Sequence, residues 1–138
     1  MGCPEPLKFL LDTHIWLWSW LEPERLAPPV QRAFDDAGNE LWLSPISVWE
    51  TLVLAEKGRI RLRPSPVEWV TATLRDAPMR EAPLTREVAL RCRSIDLPHE
   101  DPADRFLAAT AAVYGLTLVT ADAHLLSSSS VPVLANRT

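Results

Sequence analysis

Apolar residues fall along the chain in short blocks divided by turn-forming clusters. The first block, Lys8–Leu11, closes on Asp12 and reads as a strand buried on both faces, followed by apolar residues 14–21, long enough for roughly two helical turns. Pro23, Pro28 and Pro29 then break the chain, so residues 30–37 are predicted as a helix stopped by Gly38, and Glu40–Leu43 as a second strand. Val48, Thr51, Leu52 and Ala55 recur at helical spacing within residues 47–57, ahead of Gly58, and Val67, Val70 and Leu74 share a face within residues 66–75. Residues 79–83 read as a short strand and residues 85–92 as a helix. Pro102–Tyr114 reads as an Ala-rich helix ended by Gly115, and residues 116–119 as a strand. Residues 131–134 form the last predicted strand, after the serine loop 127–130. Strands that are apolar throughout and alternate with helices predict an α/β fold, a short parallel sheet covered by helices on both faces. In such sheets ligands bind at the carboxyl ends of the strands, so the residues that follow strands carry the functional reading.

Composition sets bounds on that picture. With 138 residues, 47% of them hydrophobic, the chain suits one domain, expected over residues 8–136, whose core needs neither disulfide nor structural metal. Cys3 and Cys92 have no Cys-x-x-Cys or Cys/His spacing, which argues against a zinc module and a secreted disulfide framework and predicts a reducing, cytoplasmic setting. Residues 1–6 lack a basic n-region, and Pro6 stands where a myristoylation signal wants Ser or Thr, so no targeting segment is expected. The most membrane-like stretch, residues 106–126, is interrupted by Gly115 and Asp122 and predicts no membrane span. A net charge of -4 gives no global attraction to nucleic acid, so binding a polyanion requires a local basic patch or a metal ion. Arg59, Arg61 and Arg63, at alternate positions of a segment expected to be extended, are the local patch on offer.

Four acids stand out by position. Asp12 follows the first strand, Asp122 follows the strand at 116–119, and Glu50 and Asp104 begin helices that follow loops. Taken singly, each has a capping explanation. Asp12, Asp101 and Asp122 are placed as N-caps, Asp104 lies in a first helical turn, and Ser47-Val48-Trp49-Glu50 matches a capping box with Ser47 as the cap. Taken together, acids at one sheet edge match what a hard divalent cation requires, clustered carboxylate oxygens, and magnesium or manganese is the matching ion. His14, His99 and His124 are isolated and read as structural.

These residues carry a family resemblance. Leu11-Asp12-Thr13-His14, Ser44-Pro45-Ile46-Ser47-Val48-Trp49-Glu50, His99-Glu100-Asp101-Pro102-Ala103-Asp104-Arg105 and Thr117-Leu118-Val119-Thr120-Ala121-Asp122 together resemble a PIN-domain ribonuclease, most closely the VapC toxins of toxin-antitoxin pairs. The resemblance implies a three-layer α/β/α fold and Mg2+- or Mn2+-dependent hydrolysis of RNA phosphodiester bonds. It implies that Asp12, Glu50, Asp104 and Asp122 hold the metal, with Asp101 nearby. Thr120 becomes a hydroxyl that hydrogen-bonds a carboxylate or water, and Arg105 a supporting residue that orients carboxylates or meets phosphate. A small VapB-like antitoxin is the implied partner. The chain departs from the family pattern after Asp122, where Leu125 and four serines replace a frequent aromatic residue.

Alternatives remain. A receiver domain wants a second acid beside Asp12, where Thr13 stands, and a late lysine, whereas Lys8 and Lys57 are early. A haloacid-dehalogenase-type phosphatase, another metal-dependent phosphoryl-transfer enzyme, wants an Asp at the place of His14. An interaction module whose acids only cap helices is the non-enzyme reading. Residues 14–21 place Trp16, Trp18 and Trp20 among Ile15, Leu17 and Leu21, apolar in every direction, which predicts a protein partner or a homodimer.

Overall fold

The computed structural model describes residues 6–97, 101–127 and 131–137. Cys3, His99 and Glu100, used in the sequence reading, lie outside them. Strand β1 (Lys8–Leu11) is central. It pairs in parallel with β2 (Glu40–Leu43) on one side, Phe9 opposite Leu41, and with β4 (Thr117–Thr120) on the other, Leu11 opposite Val119. Strand β3 (Arg80–Glu81) extends the sheet beyond β2 and β5 (Val133–Ala135) beyond β4, giving the all-parallel order β3-β2-β1-β4-β5. The chain builds to one side of β1 and then crosses to the other. The carboxyl ends of β1 and β4 therefore flank the topological switch point, where sheets of this kind open a crevice.

Helices α1 (Thr13–Leu21), α2 (Pro28–Asp35), α3 (Pro45–Glu56) and α4 (Pro66–Asp76) follow β1 and β2, and α5 (Arg86–Ser94), α6 (Pro102–Tyr114) and α7 (Ala123–Leu126) follow β3 and β4. Side chains of β1 alternate between two cores. Phe9 and Leu11 meet Ile15, Trp16, Val30 and Val70, while Leu10, with Leu118, meets Leu107, Ala108, Ala111 and Leu125. Both faces are covered, giving the α/β/α layering, which is why the strand reads as an unbroken apolar run. Helix α5 packs on α6 through Val88, Cys92 and Ala109. Among the described residues no helix is long and apolar enough to cross a membrane.

Three local expectations are corrected. Pro28 and Pro29 start α2 rather than precede it, since N–H groups in the first turn make no intrahelical bond for proline to remove, and the helix ends at Asp35. Helix α3 starts at Pro45 with Ser44 as its N-cap, accepting from the Ile46 amide at 3.0 Å, so Ser47 is inside the helix and the expected capping box does not form. Residues 58–63 run through a turn and bends rather than an extended strand. Within it Gly58 takes a left-handed φ of 72° that reverses the chain after α3.

Candidate active site

The β1–β4 ladder runs one residue past β1, the Asp12 amide donating to the Val119 carbonyl at 3.0 Å. That register sets Asp12 beside Thr120, whose hydroxyl donates to Asp12 Oδ2 at 2.7 Å while the Thr13 amide donates to Oδ1 at 2.7 Å. The Asp12 residue is only 8% exposed. Burial pushes its pKa up, opposed by the Thr120 hydroxyl, by His14 and by the Thr13 amide, with Asp122 adding to the rise. The Thr120 oxygen also accepts from the Asp122 amide at 3.0 Å, and Asp122 Oδ1 caps α7 by accepting from the His124 amide at 2.8 Å. One hydroxyl thus links the acids at the ends of both strands.

Glu50 reaches the same crevice from α3. Its Oε1 accepts from the Thr13 hydroxyl at 2.5 Å, and that hydroxyl is also hydrogen-bonded to Ser47 at 2.9 Å. Thr13 and Ser47 are buried, so Glu50 is aimed by a dry hydroxyl pair contributed by α1 and α3. Burial raises its pKa, the Thr13 bond lowers it, and Asp12 and Asp101 raise it. Helix capping explains Asp12, Asp101 and Asp122 as well as it did from sequence. It does not explain Glu50, which caps nothing and points across to another helix.

Asp101 begins α6, accepting from the Asp104 amide at 3.1 Å. An acid in a first helical turn is normally held low by the helix dipole. The Asp104 carboxyl is instead pushed up to about 7, first by burial and then by Asp101, Asp122, Asp12 and Glu50. That Asp101, Asp122, Asp12 and Glu50, from four separate segments, all add to the rise at Asp104 marks their convergence on one place. Their donors are oxygen only, the set that suits Mg2+ or Mn2+ over softer metals. As the side chains stand, no three Asp, Glu, His or Cys among the described residues are disposed to hold a metal ion. Asp12 and Asp122 are turned to their hydroxyl and amide donors.

A cleft of about 430 Å3 adjoins the acids, lined by His14, Trp49, Glu50, Lys57, Arg59 and Asp101 among others. Of the three arginines expected on one side, Arg59 alone lines it, and Arg61 and Arg63 line a separate hollow of about 540 Å3. Lys57, set aside in the sequence reading, takes a place in the cleft. Arg105 is buried, and its Nε and Nη2 donate to the Cys92 and Ile95 carbonyls, both at 3.1 Å. Those bonds staple the end of α5 to α6. Thr13 and Ser47 were missed as site residues, since nothing local marks a hydroxyl that pairs across 34 and 37 positions.

A model of the PIN domain matches residues 9–128. The chain belongs to the PIN domain family. Within it, similarity runs to VapC proteins: Ribonuclease VapC22 of Mycobacterium tuberculosis (strain ATCC 25618 / H37Rv) is 36% identical over 121 residues, 86% of this chain and 89% of that protein. The fold is similar to that of VapBC2 from Rickettsia felis bound to a DNA fragment from its promoter, with a TM-score of 0.69 at 12% identity, covering 94% of this chain and 98% of that one. It is also similar to DNA-bound VapBC from Salmonella typhimurium, with a TM-score of 0.67 at 17% identity, over 95% and 99% of the two chains.

Proposed function

We propose that the chain is a divalent-metal-dependent ribonuclease, the toxin of a toxin-antitoxin pair, hydrolysing RNA phosphodiester bonds in the crevice at the ends of β1 and β4. The observation that carries this is the convergence of four other carboxylates on Asp104, joined to a 36% identical relative named a ribonuclease. Asp12, Glu50, Asp104 and Asp122 are the metal-holding residues, with Asp101 beside them. Mg2+ or Mn2+ bound there supplies polarisation of the scissile phosphate, acidification of an attacking water and stabilisation of the leaving oxygen. The chain's own residues prepare the place. Thr120 fixes the rotamer of Asp12, and Thr13 with Ser47 fixes that of Glu50. Burial and the neighbouring carboxylates push the Asp104 carboxyl up to about 7, a repulsion that a bound cation would relieve. Lys57 and Arg59 line the approach, offsetting the repulsion between an acidic protein and a polyanion.

The partner reading rests on α1. Trp16 is 1% exposed, but Trp20 is 46% exposed beside an apolar hollow of about 220 Å3 lined by Trp16, Phe34, Leu41 and Met79. A VapB-like antitoxin helix would cover that hollow, in a cytoplasmic complex built on a toxin homodimer, in keeping with structural relatives that are VapBC complexes.

The test is cleavage of RNA by the purified chain in Mg2+ or Mn2+ against EDTA, with Asp12→Asn as the site variant. Cleavage that stops in EDTA and falls by several orders of magnitude in D12N is expected. Cleavage that persists equally in EDTA and in the variant refutes the proposal.

A further inference from the structure

The cleft beside the acids carries an aromatic side chain that the carboxylate chemistry does not use. Trp49 directly precedes Glu50 on α3 and is 59% exposed. The other indoles with a ring neighbour are engaged: Trp16 against Trp69 at 5.5 Å, Trp42 stacked on Tyr114 at 5.8 Å, and Trp18 under the Arg25 guanidinium at 4.1 Å. Trp49 has no ring or cation partner among the described residues. A large flat apolar surface left in water at the mouth of a polar cleft is a place for a ligand with a π-face.

The rest of the wall narrows what that ligand is. Trp49 and Val53 lie one turn apart on α3, Lys57 is the residue that caps its end, and all three line the cleft. Gly58 then reverses the chain, the Arg59 amide donating to the Leu54 carbonyl at 2.9 Å, so that Arg59 returns to the same cleft. Neither cation is in a salt bridge among the described residues. An aromatic platform followed by two cations along one groove is the arrangement that holds a single strand, base on ring and phosphates on the cations. A duplex keeps its base faces stacked internally and cannot use the ring. At about 430 Å3 the cleft matches a site for one small unit of ligand.

We propose that Trp49 is the stacking platform for an unpaired nucleobase adjoining the scissile phosphate, with Lys57 and Arg59 gripping the phosphates beyond it. This deepens the ribonuclease reading and rests on it.

The test is steady-state cleavage, in Mn2+, of single-stranded RNA oligonucleotides of about ten nucleotides, intact or with one base removed at each position in turn, by wild type, Trp49→Phe and Trp49→Ala. Stacking losses by alanine substitution predict a fall in kcat/KM of about five-fold to a hundred-fold for W49A, carried by KM, with W49F close to wild type. One abasic position should weaken the wild type by a similar factor and leave W49A unaffected, since ring and base are then the same interaction. Lys57→Ala with Arg59→Ala should flatten the salt dependence by a log–log slope of about 0.7 per lost cation. W49A matching wild type, or ring and base losses that multiply, overturns the proposal. So does a W49A chain that cuts normally but sediments as a smaller species, which makes this face a subunit contact. A wild type that cuts no RNA removes the ribonuclease reading and this proposal with it, whereas the variants judge the proposal alone.

Discussion

Replacing Asp104 with Asn should make the metal-free protein more stable, an outcome opposite to that of an ordinary helix-start acid. In the folded chain this carboxyl is raised from 3.8 to about 7, so the ionised form is the one the fold disfavours. The unfolded chain releases its proton near pH 4 and the folded chain only near pH 7. Stability therefore falls as pH rises between those values, and the penalty is complete above them. A rise of that size corresponds to about 4 kcal/mol, and solvent screening at a partly exposed side chain cuts this to about 2 kcal/mol. Asn keeps the shape and removes the charge, forfeiting a helix-dipole gain of about 0.3–1 kcal/mol. The net is about 1–2 kcal/mol in favour of the variant at pH 8, a rise in Tm of roughly 3–8 °C for a domain of this size. Thermal melts in EDTA from about pH 4 to pH 8.5 should show the gap between wild type and D104N opening as pH rises from about 4 to about 7 and staying constant above that. Mn2+ at about ten times its Kd should then add roughly 1.4 kcal/mol to the wild type and less to the variant. A variant that melts below the wild type in EDTA at pH 8, with a wild type indifferent to Mn2+, refutes the account of these acids as one electrostatic unit.

Thr120→Val removes a bond to a buried carboxylate, so it should cost about 1–3 kcal/mol in thermal melts and, by raising Asp12 further, move the acidic limb of the pH–rate profile to higher pH. Arg105→Met breaks two charge-assisted bonds that tie α5 to α6 and should cost about 3 kcal/mol in a denaturant titration; Lys at this position should not rescue it, lacking the planar fork that meets both carbonyls. Trp20→Asp should abolish co-purification with a co-expressed VapB-like antitoxin while leaving RNA cleavage by the free chain within about two-fold, because the ring lies by the α1 hollow and not in the cleft.

Local signals made much of this fold legible. Asp101-Pro102 at one end and Gly115 at the other, the latter left-handed with φ of 66°, fixed the bounds of α6, and the unbroken apolar runs of β1 and β2 pointed to the buried parallel sheet. Where two local signals overlapped, the weaker one misled. Ser44-Pro45 and the Ser47–Glu50 box both describe a start for α3, and the proline at the first helical position with a serine before it is the stronger pair. Taking Ser47 as the cap also gave Glu50 a local job, when its partner is Thr13 on another helix. The acids at the sheet edge were legible because residues after parallel strands share an edge whatever the strand order. Trp49, Lys57 and Arg59 were not legible as one wall, since their meeting depends on the reversal at Gly58, and an extended segment carrying Arg59, Arg61 and Arg63 together was expected in its place.

The central claim is that carboxylates from four segments form one cation-holding centre, and direct titration with Mn2+ tests it most closely. Calorimetry or electron paramagnetic resonance on the wild type should detect binding at millimolar Mn2+ or below, accompanied by proton release near pH 7 as Asp104 ionises, and Asp12→Asn and Asp104→Asn should each weaken it by at least about ten-fold. Absence of Mn2+ binding by a folded wild type, or binding that both variants leave unchanged, contradicts the claim.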